Sequence, residues 1–284
     1  MRLILLLFSV FSMSVFAESK EALRWYLTDW PPAFILEGAN KGKGYADEII
    51  DLLEVGMPNF KHERVVIPYP RILSYLESGE EGCYPTNIYE KKHDYGLVSA
   101  PIILVTGHNI YIHQSKKNLF PVSQKISLAA ILQNRDIKLG IRGDLEFGPT
   151  LSPILKKHKD QENVILRTSP DLADGLVKML ALGRFDFLIE YNFVMKFVTD
   201  KLGVPMADFV EIPIKENQGE FVRGAIECPD TKWGQQIIAQ INDILNRTRD
   251  TIALRELNEK WFVSKSNEDS YWGKYQQLVL NVSD

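Results

Sequence analysis

The sequence has little cysteine, only one long apolar run and no excess of basic charge. Its 284 residues include two cysteines, Cys83 and Cys228, and carry a formal net charge of −4 at pH 7. A nucleic-acid partner requires a concentrated basic surface that neutralises phosphates, so this charge argues against one. In an oxidising compartment the two cysteines can pair, or they can stay separate buried thiols, and the sequence alone leaves both open.

Motifs that mark metal proteins and several enzyme classes are also missing. The five histidines show neither an HExxH pattern nor a Cys-His spacing, so no metal site is indicated. Gly42-Lys43-Gly44 lacks the third glycine of a dinucleotide-binding loop and is typical of a turn. No Gly-x-Ser-x-Gly segment offers the nucleophile of a serine hydrolase. We therefore expect neither a cofactor nor an enzymatic activity.

The N-terminus has the parts of a secretory signal peptide. Arg2 supplies a positive charge, and residues 3–15 form an apolar run of about 13 residues, whereas a membrane span needs roughly 20. Val15-Phe16-Ala17 offers short residues at the cleavage positions, and no cysteine follows for a lipid anchor. We predict a signal peptide over residues 1–17 and an exported chain, with an uncleaved anchor helix as the alternative.

Short apolar strands then alternate with amphipathic helices. Strand patterns occur at 22–27, 65–67, 137–141 and 185–189, and helical spacing of apolar residues occurs at 45–55, 231–246 and 250–261. This alternation predicts βαβ units and a largely parallel sheet. The segment 102–112 is rich in β-branched residues and is predicted to be one long strand or crossing segment.

Seven short segments follow one another in a recognisable order. They are Trp30-Pro31-Pro32-Ala33-Phe34, Gly44-Tyr45-Ala46-Asp47, Leu76-Glu77-Ser78-Gly79, Ser99-Ala100-Pro101, Lys138-Leu139-Gly140-Ile141 with Gly143, Leu182-Gly183-Arg184-Phe185-Asp186 and Asn258-Glu259-Lys260-Trp261-Phe262. In this order they resemble the family-3 extracellular solute-binding proteins, best known as amino-acid-binding components of ABC importers. The resemblance covers residues 23–262.

The resemblance implies an α/β fold of the periplasmic-binding-protein type II, in which two α/β lobes are joined by a two-strand hinge with a ligand cleft between them. The implied divisions are 18–112 and 214–263 for lobe 1, 113–213 for lobe 2, and 264–284 for a C-terminal arm. The hinge would consist of crossing strands near 110–112 and 211–214. Because Cys83 and Cys228 then share a lobe, the resemblance favours a disulfide between them.

The resemblance also implies ligand-binding residues in lobe 1. Trp30 stands where an aromatic side chain covers the apolar part of the ligand, and its flanking prolines favour an exposed rim over ordinary core. Thr86 is a candidate hydroxyl. The family places an arginine seven residues before the serine of its Ser-x-Pro segment, and this chain has Lys92 there, beside Lys91. A lysine does not reproduce the guanidinium fork, and solvated surface is the alternative for both lysines.

Other candidates replace the missing arginine or meet the opposite end of the ligand. Arg71, after two prolines, and Arg142, in a lobe 2 turn, are candidates for the guanidinium. Glu190-Tyr191 lies at the family's acidic position, where a carboxylate meets an ammonium. The turn that contains Asp144 can present backbone N–H groups to an anion, although Asp144 can instead be only a helix cap.

The resemblance therefore predicts a periplasmic protein that captures a small polar ligand, an amino acid or related carboxylate, by lobe closure. We expect a monomer whose partner is an ABC permease. One alternative is a ligand sensor that acts through a membrane receptor. Another is a dehydratase-like enzyme on the same fold, in which a cleft acid such as Glu190 serves as general acid or base.

Overall fold

The computed structural model describes residues 20–89, 96–122, 124–143, 147–168, 172–263 and 268–282. The predicted signal peptide lies outside the described residues. Within these ranges, no helix combines the length and the apolar composition that a membrane crossing requires.

The described elements alternate between strands and helices along most of the chain. The strands are β1 (Ala22–Leu27), β2 (Lys61–Val66), β3 (Tyr84–Ile88), β4 (Leu97–Val98), β5 (Ile103–Thr106), β6 (Asn109–His113), β7 (Leu139–Arg142), β8 (Val164–Arg167), β9 (Phe187–Glu190), β10 (Phe209–Pro213) and β11 (Phe221–Cys228). The helices are α1 (Tyr45–Gly56), α2 (Tyr69–Ser78), α3 (Leu128–Ile131), α4 (Gly148–His158), α5 (Leu172–Ala181), α6 (Asn192–Leu202), α7 (Lys232–Thr248), α8 (Ile252–Trp261) and α9 (Glu268–Tyr275).

The first lobe contains β1 to β5 and β11. Strands β1 and β2 pair in parallel, and β11 pairs antiparallel with β3, β4 and β5. The two sheets are joined where the Tyr26 amide donates to the Cys83 carbonyl oxygen at 2.8 Å. The chain therefore returns to the first lobe through β11, which completes the sheet that β3, β4 and β5 begin.

The second lobe contains one sheet in the order β10-β6-β9-β7-β8. Strand β7 is parallel to β8 and β9, whereas β6 is antiparallel to β9 and β10. The prediction of a largely parallel sheet is wrong for β6, β10 and β11. Strands β6 and β10 carry the chain into and out of the second lobe, and β11 returns it to the sheet of the first lobe. Local periodicity does not encode the direction in which a strand joins its sheet.

The two crossing strands that the sequence indicated lie side by side. Strands β6 and β10 pair antiparallel, with Ile110 opposite Ile212 and Ile112 opposite Val210. The segment 102–112 is not one strand, because Gly107 and the residue after it separate β5 from β6. The boundaries proposed for the lobes and the C-terminal arm stay predictions.

Apolar faces of amphipathic helices form much of the core. In α1, Ile49, Ile50 and Leu53 are fully buried, as the helical spacing predicts. Complete burial of such a side chain contributes about 1.5 to 3 kcal/mol. Near the start of α1, the buried Asp47 carboxylate accepts hydrogen bonds from the amides of Gly44, at 3.0 Å, and Ile35, at 3.3 Å. Asp47 thereby fixes the loop that precedes the helix.

The segment after α8 packs into the same core. Tyr271 is fully buried, and its hydroxyl donates to the Leu104 carbonyl oxygen of β5 at 2.6 Å. The Tyr275 hydroxyl donates to the Arg249 carbonyl oxygen at 3.1 Å, and the Arg249 guanidinium donates to the Val279 carbonyl oxygen at 2.8 Å. The C-terminal segment therefore packs against β5, the strand that precedes the first crossing to the second lobe.

A disulfide joins Cys83 and Cys228, which confirms the predicted pairing. Both cysteines are fully buried, and their Cα atoms are 4.3 Å apart. The bond ties the start of β3 to the end of β11 across a sequence separation of 145 residues. A cross-link over so long a loop restricts the unfolded chain strongly.

We predict that replacing both cysteines by alanine lowers the free energy of unfolding by about 2 to 5 kcal/mol, because the unfolded chain regains the entropy of the open loop. Urea unfolding followed by tryptophan fluorescence measures the change. A reductant should lower the midpoint of the wild-type protein and leave that of the double variant unchanged. A wild-type midpoint that does not respond to reductant would contradict the prediction.

Candidate functional site

The chain crosses between the lobes at Gly107–His108 and again at 214–220. The Asn217 side-chain amide donates to the His108 carbonyl oxygen at 2.8 Å, and the Gly107 amide donates to the Glu220 carbonyl oxygen at 3.1 Å. A Cβ atom at Gly107 would come within 2.9 Å of the Asn217 side chain, so a glycine permits this close approach. The two crossings are thus tied directly to each other.

Four aromatic rings, from His108, Phe147, Tyr191 and Phe193, meet beside these crossings and are called here the aromatic stack. The rings of His108 and Tyr191 stack with centroids 3.6 Å apart. Phe147 lies 5.0 Å from His108, and Phe193 lies 5.2 Å from Tyr191. Aromatic pairs of this kind contribute about 0.5 to 1.5 kcal/mol beyond their burial. The stack therefore holds the starts of α4 and α6 against the first crossing.

Tyr191 is positioned by the junction between β9 and α6. Its amide donates to the Glu190 carboxylate at 2.9 Å. In the next residue, the Asn192 side-chain amide donates at 2.7 Å to the Glu211 carboxylate, which also accepts from the Asn109 side chain at 2.8 Å. Because Asn109 and Glu211 belong to the paired strands β6 and β10, the start of α6 is fixed on the crossing strands.

Charges of both signs influence the ionisation of the Tyr191 hydroxyl. Burial raises the pKa of Tyr191, Arg142 opposes this rise, and Glu190 and Glu220 add to it. The Arg142 guanidinium also lies 4.8 Å from the centre of one ring of the stack. The Thr150 hydroxyl donates a hydrogen bond to the Glu220 carboxylate. One cation and two carboxylates therefore converge where the second lobe meets the crossings.

His108 is held as a neutral imidazole at the centre of this group. It is 4% exposed, and burial lowers its pKa well below the usual 6.5, with the Arg142 charge acting in the same direction. Its Nε2 atom makes no hydrogen bond to any of the described residues. A protonated ring would therefore be buried near a guanidinium and would have no acceptor for its Nε2 proton among the described residues, which is unfavourable.

The predicted site residues fall into two sets, one of which lies at the aromatic stack. Arg142, Glu190 and Tyr191 are together there. Thr86 lies half-buried in β3 beside Tyr84. Burial raises the pKa of the Tyr45 hydroxyl, so this hydroxyl stays neutral.

The other predicted residues make no described contact with the stack or lie outside the described ranges. Trp30 is half-buried, and its carbonyl oxygen accepts from the amides of Ala33 and Phe34 at 2.9 and 3.1 Å. Arg71 is exposed in the first turn of α2. Among the described contacts, no ring pair joins Trp30 to the stack and no ion pair involves Arg71. Lys91, Lys92 and Asp144 lie outside the described residues.

Besides Phe193, in the first turn of α6, three residues at the stack were not predicted from the sequence. His108 had an available signal, since Gly107-His108 interrupts an otherwise β-branched segment. Phe147 and Glu220 had none, because they are separated by more than seventy residues and meet only through the fold. All three come from the ends of elements, where loops carry functional groups on a rigid scaffold.

A cavity of about 820 Å³ borders the far end of the aromatic stack at Phe193. The first lobe contributes residues between positions 29 and 43 and the end of α8, and the second lobe contributes one face of α6. The predicted site residues do not line this cavity, although the neighbours of Trp30 do. The structure thus has two regions between the lobes, separated by Phe193 and Tyr191.

The described groups around the stack supply charge, hydrogen bonds and aromatic faces. They can neutralise both ends of a bipolar ligand and cover its apolar part. Within the described part of the chain, no three histidine, cysteine, aspartate or glutamate residues are grouped so that they could hold a metal ion.

No protein-family model and no curated protein matches the chain, but solved structures do. A structure from glutathione import in Streptococcus mutans has a TM-score of 0.63 at 14% identity and covers 87% of this chain and 99% of that one. A histidine kinase sensor domain with similarity to periplasmic binding proteins has a TM-score of 0.61 at 15% identity, covering 85% and 96%. An ancestral arginine-binding protein bound to glutamine has a TM-score of 0.58 at 20% identity, covering 86% and 99%.

These matches extend over almost the whole described chain and over nearly all of each matched structure. They confirm the fold class that the sequence predicted, two α/β lobes of the periplasmic-binding-protein type II. At these sequence identities the likeness concerns the fold alone.

We predict that His108 makes the folded protein less stable in acid. Its folded-state pKa lies below the usual 6.5, so below this pH the unfolded chain binds a proton that the folded protein does not. The free energy of unfolding then falls by up to about 1.4 kcal/mol per pH unit from this residue alone. Urea unfolding between pH 7.5 and 5, compared with a His108→Phe variant that keeps an aromatic ring, isolates this contribution. Equal pH slopes in the two proteins would contradict it.

Proposed function

We propose that this chain is a periplasmic solute-binding protein that captures a small polar ligand, an amino acid or a related carboxylate, by closing its two lobes. The observation that carries the proposal is the position of Arg142 and Glu190 at the aromatic stack, directly beside the crossings between the lobes. The Arg142 guanidinium lies over the Phe147 ring, and the Glu190 carboxylate accepts from the Tyr191 amide. A ligand that carries a carboxylate and an ammonium finds a partner of opposite charge for each. Its apolar part finds the aromatic faces of the stack.

The matched structures support a role in uptake. They include a substrate-binding protein of an ABC uptake transporter from Streptococcus pneumoniae with bound histidine, and an ancestral arginine-binding protein bound to arginine. We infer an ABC permease as the partner of this chain and export through residues 1–17. A monomer suits this role, since each copy would carry a complete cleft.

Each proposed ligand contact follows from the chemistry of the side chain. The Arg142 guanidinium presents a planar fork of donors that binds a carboxylate through two parallel hydrogen bonds. The Glu190 carboxylate accepts from an ammonium group. Tyr191 covers the apolar part of the ligand from the second lobe, and Trp30 covers it from the rim of the first.

The remaining predicted residues would complete the contacts around the ligand. Thr86 and Arg71 belong to the first lobe and would approach the ligand from the side opposite Glu190. Lys91 and Lys92 would add positive charge near the carboxylate. Asp144 would belong to the turn whose backbone N–H groups face an anion.

Lobe closure follows from the free-energy cost of burying the polar groups of the ligand. A polar ligand taken out of water must have its charges and hydrogen bonds met, because each unmet group costs about 1 to 3 kcal/mol. Partners from both lobes are present only when the lobes are together. The ligand therefore binds the closed form more tightly than the open form and shifts the population toward it.

A sensor is the second candidate function, and one comparison favours it. The histidine kinase sensor domain covers 85% of this chain, so the same fold also serves signal reception. Ligand capture would be the same, and the closed form would be presented to a membrane receptor instead of a permease. An ancestral amino-acid-binding precursor of cyclohexadienyl dehydratase has the same fold at 17% identity, and turnover of a ligand would favour this third reading.

We predict that a screen of amino acids, small carboxylates and amines identifies a ligand that raises the melting temperature of the refolded mature protein. A ligand at 100 times its dissociation constant adds about 2.7 kcal/mol, which raises the melting temperature of a chain of this length by about 5 to 10 °C. Refolding before the screen removes any ligand that was purified with the protein.

Two pairs of variants test the assignment of the site. Arg142→Gln and Glu190→Gln should each weaken binding of the hit at least tenfold. Arg184→Gln and Glu162→Gln remove the same charges from exposed positions of the second lobe and should leave binding unchanged. A folded protein that responds to no compound would contradict the proposal, as would equal loss of affinity in the site and surface variants.

A further inference from the structure

The cavity that begins at Phe193 has apolar walls from both lobes. On α6, Phe193 and Phe197 lie one helical turn apart and face the cavity, and Ile35 and Leu36 of the first lobe line it from the other side. Phe193 is 5% exposed and Ile35 is 7% exposed, so these walls belong to the packed core. The cavity therefore offers an apolar surface that includes two buried side chains, Phe193 and Ile35.

The charged rim of the cavity contains groups of both signs that are not paired with each other. Lys43 and Lys196 line it together with Asp29, Glu37 and Asp200. Among the described residues, none of these five takes part in an ion pair. A ligand can therefore reach two ammonium groups and three carboxylates without first breaking a salt bridge.

The other two lysines at the cavity are already occupied. Lys201 pairs with Asp174 at 2.8 Å, and Lys260 pairs with Glu48. Neither of these carboxylates lines the cavity. The charged groups that a ligand can reach are thus the five unpaired ones, two of which are positive and three negative.

The first-lobe wall is held in place before any ligand arrives. The Ile35 amide donates to the buried Asp47 carboxylate at 3.3 Å, and the Gly42 amide donates to the Ile35 carbonyl oxygen at 2.8 Å. These bonds close the loop between Ile35 and α1. A preformed wall reduces the ordering that binding would otherwise require.

We propose that this cavity is a second binding site and that it takes a short peptide with free termini. Cavities of roughly 300 to 1,000 Å³ accommodate drug-sized molecules, so about 820 Å³ exceeds what a single amino acid fills. Apolar side chains of the peptide pack on Phe193, Phe197 and Ile35. Its carboxylate meets Lys43 and Lys196, and its ammonium meets the rim carboxylates. A ligand of one sign only would place like charges next to each other.

This site goes beyond the function proposed above, because neither Arg142 nor Glu190 lines it. The two regions share α6, since Phe193 belongs to both the aromatic stack and the cavity wall. Because the cavity has walls from both lobes, a peptide bound there favours the closed form. Occupancy of one region should then increase the affinity of the other.

The experiment measures binding of Ala-Phe-Ala with free termini to the refolded mature protein by titration calorimetry. The N-acetylated, C-amidated form of the same tripeptide serves as the matched ligand and should bind at least tenfold more weakly. Ala39→Trp fills the cavity from an exposed loop position, and Lys196→Glu reverses a rim charge. Each should weaken binding at least tenfold, whereas Lys178→Glu, at an exposed position of α5, should not.

The outcomes separate this proposal from the previous one. Loss of tripeptide binding in Ala39→Trp and Lys196→Glu, with retention in Arg142→Gln, supports a peptide site in the cavity. Loss in Arg142→Gln but not in Ala39→Trp would overturn it, because the peptide would then lie at the aromatic stack. Absence of binding to the wild-type protein would also overturn it, whether or not amino acids bind. Circular dichroism confirms that each variant is folded.

Discussion

The hydrogen bond from the Asn217 side chain to the His108 carbonyl oxygen is the contact on which the arrangement of the two lobes depends. It links the two places where the chain passes between them. A buried carbonyl at a crossing must be paired, and neither sheet supplies a backbone partner for it there. Once this bond fixes the first crossing, the His108 ring stands where Tyr191 can stack on it. Arg142 and Glu190 stand at the ends of the paired strands β7 and β9, and Glu220 belongs to the second crossing.

Helix α6 connects the two regions between the lobes. Its start is fixed by the hydrogen bond from Asn192 to Glu211 on a crossing strand. From there, Tyr191 faces the crossings and Phe193 faces the cavity. The Phe193 ring also makes edge contacts with Tyr45 and Phe262 of the first lobe, with centroids 5.9 and 5.3 Å apart. A movement of one lobe against the other would therefore change both regions together.

Sequence reasoning identified features that depend on local pattern. The apolar face of α1 and the strand β1 follow from periodicity, and the order of short segments indicated the two-lobed fold. The pairing of Cys83 with Cys228 followed from placing both residues in one lobe. These inferences succeeded because each depends on neighbouring residues or on a fold already established.

The features that were missed depend on contacts between distant residues. The direction of β6, β10 and β11 is set by where the chain returns, not by their own composition. Helix α6 was not predicted, since its start follows a buried strand without a recognisable cap. The Glu220 carboxylate accepts from the Thr150 hydroxyl only because the second crossing folds back beside the first. No residue spacing in the sequence predicts this contact.

Small-angle X-ray scattering tests the central claim, that a ligand draws the two lobes together about the crossings. The refolded protein is measured without ligand and again with the hit of the screen at saturation. We expect the radius of gyration to fall when the ligand is added. An unchanged radius of gyration at saturating ligand would contradict closure as the mechanism of capture.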